Sequence, residues 1–394
     1  MGEAIKKLTI EGFKSIRKLE NFELRSLNVL IGPNGAGKSN FVRFFWLLRE
    51  LIEQRLQKAV AMEGGADACV YMGPRITQRL LAKFYFGANG YEFELVPTAD
   101  NRLVFADEAT DFSGQLKDHI RRSLGSGHFE SVLRNHKDDP GIRAQRGVPY
   151  HVFNTVSSWV VYHFHDTSAT AGVRRQGAIN DNETLRSNAE NLAAFLFRIR
   201  QTNPAEYEKI RDTVRLAAPF FDDFKLRPVP TNPELIQLEW LQKDSDYPFR
   251  ASQLSDGTLR FICLATALLQ PLTPPTMLFD EPELGLHPYA LTLLAGLFQQ
   301  AARSHGNYIS KQIIVSTQSA LLLNEFAPED VVIVERFQGE STFRQLKGND
   351  LSEWLKEYSL GELWQKNVLG GRPRDEDSPQ TAGIWKGSSS GDRQ

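Results

Sequence analysis

The sequence predicts an α/β protein with a mixed, largely parallel sheet core and helical insertions. Three observations predict it. Short apolar runs alternate with amphipathic helical stretches along much of the 394 residues. A glycine-rich loop, Gly32-Pro33-Asn34-Gly35-Ala36-Gly37-Lys38-Ser39, joins one apolar run to one helical run. Far downstream, the apolar run Thr276–Phe279 ends on the carboxylate pair Asp280-Glu281.

In order along the chain, Lys7–Ile10 and Asn28–Ile31 read as short buried strands, with turns and one further strand in Glu11–Ser26. The helix after Ser39 carries Phe41, Phe44, Phe45, Leu48, Leu51 and Ile52 near helical spacing. Phe84–Phe86 and Tyr91–Leu95 flank Gly87-Ala88-Asn89-Gly90, a hairpin signal in which Asn-Gly favours a tight turn. Apolar density falls after Asp107, and residues 115–150 hold seven Lys/Arg against four Asp/Glu. Val160–Phe164 returns to strand character. Ala189–Arg200 and Ala205–Ala217 read as helices, and Gln237–Leu241 as a strand. Leu259–Gln270 is a helix stopped by Pro271. Leu291–Ala302 is another helix, and Gln312–Ser316 and Asp330–Glu335 complete the β–α alternation of a parallel sheet. The expected organisation is an N-terminal part with the glycine-rich loop (1–105), an insertion (106–158), a helix-and-strand middle (159–250), a C-terminal part (251–370) and a disordered Ser/Gly-rich tail (371–394).

Composition narrows the function classes. Hydrophobic residues make up 41% and charged residues 24%, enough for a folded core. A net charge of −2 gives no bulk attraction to nucleic acid, so a DNA-binding surface must be a local patch. Cys69 and Cys263 form no CxxC pair, which points away from a zinc hook or a disulfide framework and towards a reducing compartment. No segment reads as a signal peptide or a membrane span, so a soluble, cytoplasmic protein is expected.

Gly32–Ser39 fits G-x-x-x-x-G-K-[ST] between a strand and a helix, the context of a phosphate-binding loop. Backbone N–H groups of Asn34, Gly35, Ala36 and Gly37 would converge on phosphates at a helix N-terminus. Lys38 would reach the β- and γ-phosphates, and Ser39 would ligate Mg²⁺. Asp280, at a strand's C-terminal end, would hold the same ion. Glu281 would orient or deprotonate the attacking water. These parts predict a P-loop NTPase with ATP and Mg²⁺ as cofactors. Leu254-Ser255-Asp256-Gly257-Thr258 precedes a helix. Ser255 offers a hydroxyl, and Gly257 permits close approach of an anion, although an ordinary helix cap fits the same residues. His163 and His165 share a strand face and, with Asp166, raise a metal site, against structural histidines at a strand end. Arg174-Arg175 fits a solvated turn or a phosphate or DNA contact.

The order of Gly32–Ser39, Leu254–Thr258, Phe279–Pro282 and Ser316–Ser319 resembles ABC-class ATPase heads of the SMC/RecF type. Ile10-Glu11-Gly12-Phe13-Lys14-Ser15-Ile16 is similar to that group's N-terminal strand and turn. Residues 5–105 and 159–370 carry the likeness, which extends to compact bacterial AAA ATPases related to the ATPase half of the overcoming-lysogenization-defect family. The resemblance implies an ABC/SMC-like head in which Ser255 and Gly257 contact the γ-phosphate held by another subunit. It also implies that Lys14 and Ser15 lie near the nucleotide and that Glu283–Pro288 crosses the dimer interface. Three positions depart from the pattern: Asp256 replaces a common Gly, His287 stands where transporters carry Asp, and Gln318 replaces the usual switch His. Gln318 can donate a hydrogen bond but cannot become charged, which implies slow turnover. A glutamine loop has no clear position, with Gln78 as a candidate.

The resulting expectation is an ATP-hydrolysing head that closes as an ATP-sandwiched homodimer or higher homo-oligomer and serves a DNA-associated task, repair or phage defence. The alternative is a nucleotide-gated scaffold or sensor that controls a protein effector or partner subunit, with slow hydrolysis. Direct DNA binding stays open under both, and neither involves a membrane.

Overall fold

The computed structural model describes residues 4–113, 119–139, 147–303 and 311–370. Its centre is a six-stranded sheet in the order Glu340–Gln345, Val331–Phe337, Leu27–Ile31, Gln312–Thr317, Thr276–Asp280 and Val160–Tyr162. The last five run parallel, and Glu340–Gln345 pairs antiparallel at one edge. Strands covered on both faces should read as unbroken apolar runs. Here Val29, Met277, Phe279, Ile313 and Val315 pack into one core, and Leu30, Leu278 and Ile314 into the opposite one.

The first face is covered by the helices Leu192–Thr202, Pro204–Ala217, Asp256–Leu269 and Pro288–Ala302. The second meets the helix Lys38–Ile52. Behind that helix stands an antiparallel sheet ordered Ile16–Glu23, Ile5–Phe13, Leu80–Phe86, Asn89–Pro97, Leu103–Ser113 and His119–Gly125. The phenylalanines of the helix serve both layers. Phe44 lies 5.1 Å from Phe13 and 5.9 Å from Phe84, and Phe45 lies 5.4 Å from Trp159. Gln312 ties the two sheets at their edge: its side chain accepts from the Ile5 N–H at 3.2 Å and donates to the Ile5 carbonyl at 2.9 Å.

Three expectations change on contact with the fold. Residues 106–158 are not an appendage to the head. Leu103–Ser113 and His119–Gly125 extend the antiparallel sheet, and the helix Val148–Ser157 buries Val152, Phe153 and Val156 in the same core as the Lys38–Ile52 helix. The hairpin turn sits at Gly87-Ala88, because Phe86 pairs with Asn89, so Asn89-Gly90 begins the second strand. Strand pairing with Leu103–Ser113 overrides the local turn preference of Asn-Gly. Val160–Phe164 is a strand only to Tyr162. The tail expected to be disordered, 371–394, lies outside the described residues, as do 114–118 and 140–146 of the basic stretch.

Glu108 is a fully buried carboxylate in this second layer. It accepts from Tyr91 Oη at 2.7 Å, Val132 N–H at 3.1 Å and Ser131 Oγ, and it contacts His128 Nε2 at 2.8 Å. An apolar replacement strands those groups without partners. Glu108→Ala should therefore cost roughly 3 kcal/mol of stability, measured as a shifted urea midpoint with an unchanged slope.

Candidate nucleotide site

Parallel register sets the site. Thr317 pairs with Ile31 and Ser316 with Asp280, so three adjacent strands end level at their C-terminal edge. Ligands in open α/β sheets bind at that edge. The glycine-rich loop leaves the first strand, the switch segment the second, and the carboxylate pair the third.

The loop closes into the helix Lys38–Ile52. Gly37 adopts φ +111°, and a Cβ there would lie 2.1 Å from Ser341 Oγ, so only glycine fits. Ser341 Oγ donates to the Ala36 carbonyl at 2.6 Å and lies 2.7 Å from Ser15 Oγ, whose hydroxyl is free to donate to it. Asn34 and Gly35 are exposed at the loop tip, and Ala36 and Gly37 are buried beneath it. Lys38 Nζ donates to the carbonyls of Gly32 at 2.7 Å and Pro33 at 3.0 Å. Burial lowers the Lys38 pKa, against the pull of Glu281, Asp280 and Glu283.

Ser39 Oγ faces Asp280 Oδ1 at 3.4 Å. A hydroxyl and a carboxylate at that separation fit a shared small divalent cation. Asp280 also accepts a hydrogen bond from Ser316 Oγ. Glu281 adopts φ +44°, unusual for a residue with a side chain. Its N–H is anchored to the Ser316 carbonyl at 2.9 Å. Gln318 Nε2 donates to Glu281 Oε1, and the Gln318 N–H donates to Glu283 Oε1 at 2.8 Å. Burial raises the Glu283 pKa, while its bonds to Gln318 and Thr317 oppose the shift. Asp280, Glu281 and Gln318 are thus brought together with Ser39. Ser316 and Glu283 complete the group. A lone Ser inside the buried run Gln312–Thr317 was the available signal for the first. Glu283 had none beyond its place in the segment.

The signature segment lies at the start of the helix Asp256–Leu269. Ser255 caps it, accepting from Thr258 N–H at 3.1 Å, and stays exposed. Gly257 also has a reason within the chain: a Cβ there would lie 2.2 Å from the Gly285 carbonyl. It lets this helix pack on the Glu283–Pro288 loop of the same chain. Two buried guanidinia hold the arrangement. Arg260 Nε donates to the Phe164 carbonyl at 2.8 Å, its Nη2 to His165 at 3.1 Å and its Nη1 to Leu284. Arg174, expected in a solvated turn or on phosphate or DNA, is instead internal. It donates to the carbonyls of Thr167, Ala251 and Leu254 and pairs with Asp256 at 2.7 Å. His287 Nδ1 caps the helix Pro288–Ala302, accepting from Tyr289 N–H at 3.3 Å, a task an Asp also performs.

Other expected site residues sit elsewhere. Lys14 is turned onto Glu63, 2.5 Å away, which also pairs with Arg43. Burial pushes the Glu63 carboxyl up, but Lys14 and Arg43 outweigh it and hold it below its usual value. Ser15 is buried behind the loop, where Asn40 Nδ2 donates to it at 2.6 Å. Ser15 supports the loop from behind, through Asn40 and Ser341. Gln78 is exposed on the approach to Leu80–Phe86. Asp166 bonds Ser168 at 2.7 Å, and Asp280 takes its place beside His163 and His165. Burial lowers the His163 pKa, with Asp280 opposing.

Fold and site together define a P-loop ATPase of the ABC class, with the mixed-sheet head architecture of the SMC/RecF type. Residues 27–324, well over half of the chain, match the family described as "AAA domain, putative AbiEii toxin, Type IV TA system", and the chain belongs to that family. Membership of a P-loop ATPase family implies ATP and, as a rule, Mg²⁺. Among solved structures, an SMC head bound to the C-winged helix domain of ScpA is 16% identical, with a TM-score of 0.56 over 89% of this chain and 99% of that one. A second SMC head, with an extended coiled coil and bound to the C-terminal domain of ScpA from Pyrococcus furiosus, is 16% identical. Its TM-score is 0.51, over 90% of this chain and 98% of that one. At such identity the likeness is one of fold. No curated protein matches the chain. Among the described residues, no helix is long and apolar enough to cross a membrane.

The contact at Gly257 is directly testable. Gly257→Ala forces the helix off Gly285 and should cost about 1–3 kcal/mol by overpacking. Ser255→Ala, which removes only a cap, should cost about 1 kcal/mol. Chemical denaturation of the two variants side by side gives the order.

Proposed function

We propose that the chain binds ATP with a divalent cation at Gly32–Ser39 and Asp280, and closes as a homodimer around the nucleotide. In the closed dimer, Ser255 and Gly257 of one copy meet the γ-phosphate held by the other. The observation that carries this reading is the cluster of Ser39, Asp280, Glu281 and Gln318 at one level edge of the sheet. The exposed Ser255 hydroxyl and the exposed apolar side chains of Leu284, Tyr289 and Leu321 support the second half. Leu284 lies in the loop that packs on the signature helix, Tyr289 just after it, and Leu321 three residues after Gln318. Burying them against a second copy removes apolar surface from water.

In the closed state Glu281 orients the attacking water and accepts its proton. Gln318 holds that carboxylate and offers its amide N–H to the γ-phosphate. A neutral amide stabilises developing charge less than an imidazolium does, so turnover is slow. The coupled task is DNA-associated, in repair or phage defence. The toxin–antitoxin wording of the family supports defence. A second reading, a nucleotide-gated scaffold for a protein effector, draws on SMC heads that hold ScpA domains.

Glu281→Gln should retain ATP and sediment as a dimer at saturating ATP; a variant that stays monomeric there refutes the sandwich. Gln318→Ala should lower kcat at least tenfold with little change in KM, measured by phosphate release. The same assay with and without DNA separates the two readings: strong stimulation favours the DNA-coupled one.

A further inference from the structure

His163 and His165 follow the edge strand Val160–Tyr162, which pairs in parallel with Thr276–Asp280. Tyr162 stands opposite Phe279, so the next residues on the two strands are His163 and Asp280. Phe164, between the histidines, is buried in the core, while His163 is half-buried and His165 exposed. Alternation along an extended chain therefore puts both imidazoles on the side away from Phe164. One donor atom from each of His163, His165 and Asp280 lies within 4.8 Å of the other two. The two rings are 6.3 Å apart, centre to centre.

We propose that His163, His165 and Asp280 bind a first-row transition dication, of the class of Mn²⁺, Co²⁺ or Zn²⁺. Two imidazoles and one carboxylate suit such ions, whereas Mg²⁺ takes oxygen ligands. An ion about 2.1 Å from each donor needs them roughly 3–3.5 Å apart. Small side-chain rotations supply that contraction. The backbone beneath is already fixed. The His163 N–H donates to the Ser187 carbonyl at 2.9 Å, and Arg260 holds the carbonyls of Phe164 and His165. Such support is what a preorganised ligand set requires. An exposed His165 contributes nothing to the core, so packing gives no reason for its position.

Asp280 also faces Ser39, so this ion lies against the cation position of the nucleotide loop and shares its carboxylate. The site biases this end of the sheet towards a transition cation over Mg²⁺. It needs no nucleotide to form.

The test is a Co²⁺ titration of the untagged full chain, read by visible d–d absorption and by metal content after dialysis. One Co²⁺ per chain is expected, displaced by Zn²⁺ and retained in tenfold excess Mg²⁺. His165→Ala and His163→Asn should each weaken binding at least tenfold, and His136→Ala should not. His165 is exposed, so its variant decides the question even if His163→Asn fails to fold. Lys38→Ala, which removes the nucleotide contact, should keep the Co²⁺ signal, so failure of the ATP reading and failure of the metal site are read separately. No bound Co²⁺, or equal binding by His165→Ala, overturns the proposal.

Discussion

The site depends on one constraint: the register of three parallel strands. Leu27–Ile31, Gln312–Thr317 and Thr276–Asp280 end at the same level because Thr317 pairs with Ile31 and Ser316 with Asp280. A shift of one residue would turn Asp280 to the other face of the sheet and away from Ser39. What holds the register is burial. Each strand sends alternate residues into two separate cores, so slippage would exchange their contents on both sides at once. The chemistry at the edge is thus positioned by hydrophobic contacts that lie beneath it.

A second level of control comes from buried arginines. Arg260 joins the signature helix to the Glu283–Pro288 loop and to the segment holding His163 and His165. Arg174 joins the same helix start to Thr167 and Ala251. A guanidinium suits this task because its planar fork donates in several fixed directions. Movement of the signature helix cannot leave the Glu281–Gln318 pair indifferent, since Leu284 and Glu283 lie on one short loop. This gives a physical route by which contact at the signature would be felt at the Glu281 carboxylate.

The legibility of the chain followed how local each feature is. Gly32–Ser39 and Asp280-Glu281 were readable because strand, loop and helix signals surround them in sequence. The surroundings of Lys14 and Ser15 were not readable, because Glu63, Asn40 and Ser341 make them and local pattern cannot bring those residues near. Gly257 was singled out for close approach to an anion; that the Gly285 carbonyl of the same chain also demands a bare Cα there was not visible in the sequence. The stretch 106–158 looked like an insertion because its charge is high, although strand pairing and the Val148–Ser157 helix make it part of the second layer.

The sequence alone determined the α/β class, the phosphate loop, the carboxylate pair and the neutral residue at the switch. The first three rest on contiguous residues and their spacing, whereas Gln318 at the switch position rests on the family resemblance. The tertiary structure alone decided that Glu281 takes a left-handed backbone and that Gln318 reaches it. It alone placed the arginines around the signature helix and put Asp280, not Asp166, beside the two histidines. Those facts depend on which strands lie side by side, and strand order is set by how two hydrophobic cores close, a property of the whole chain.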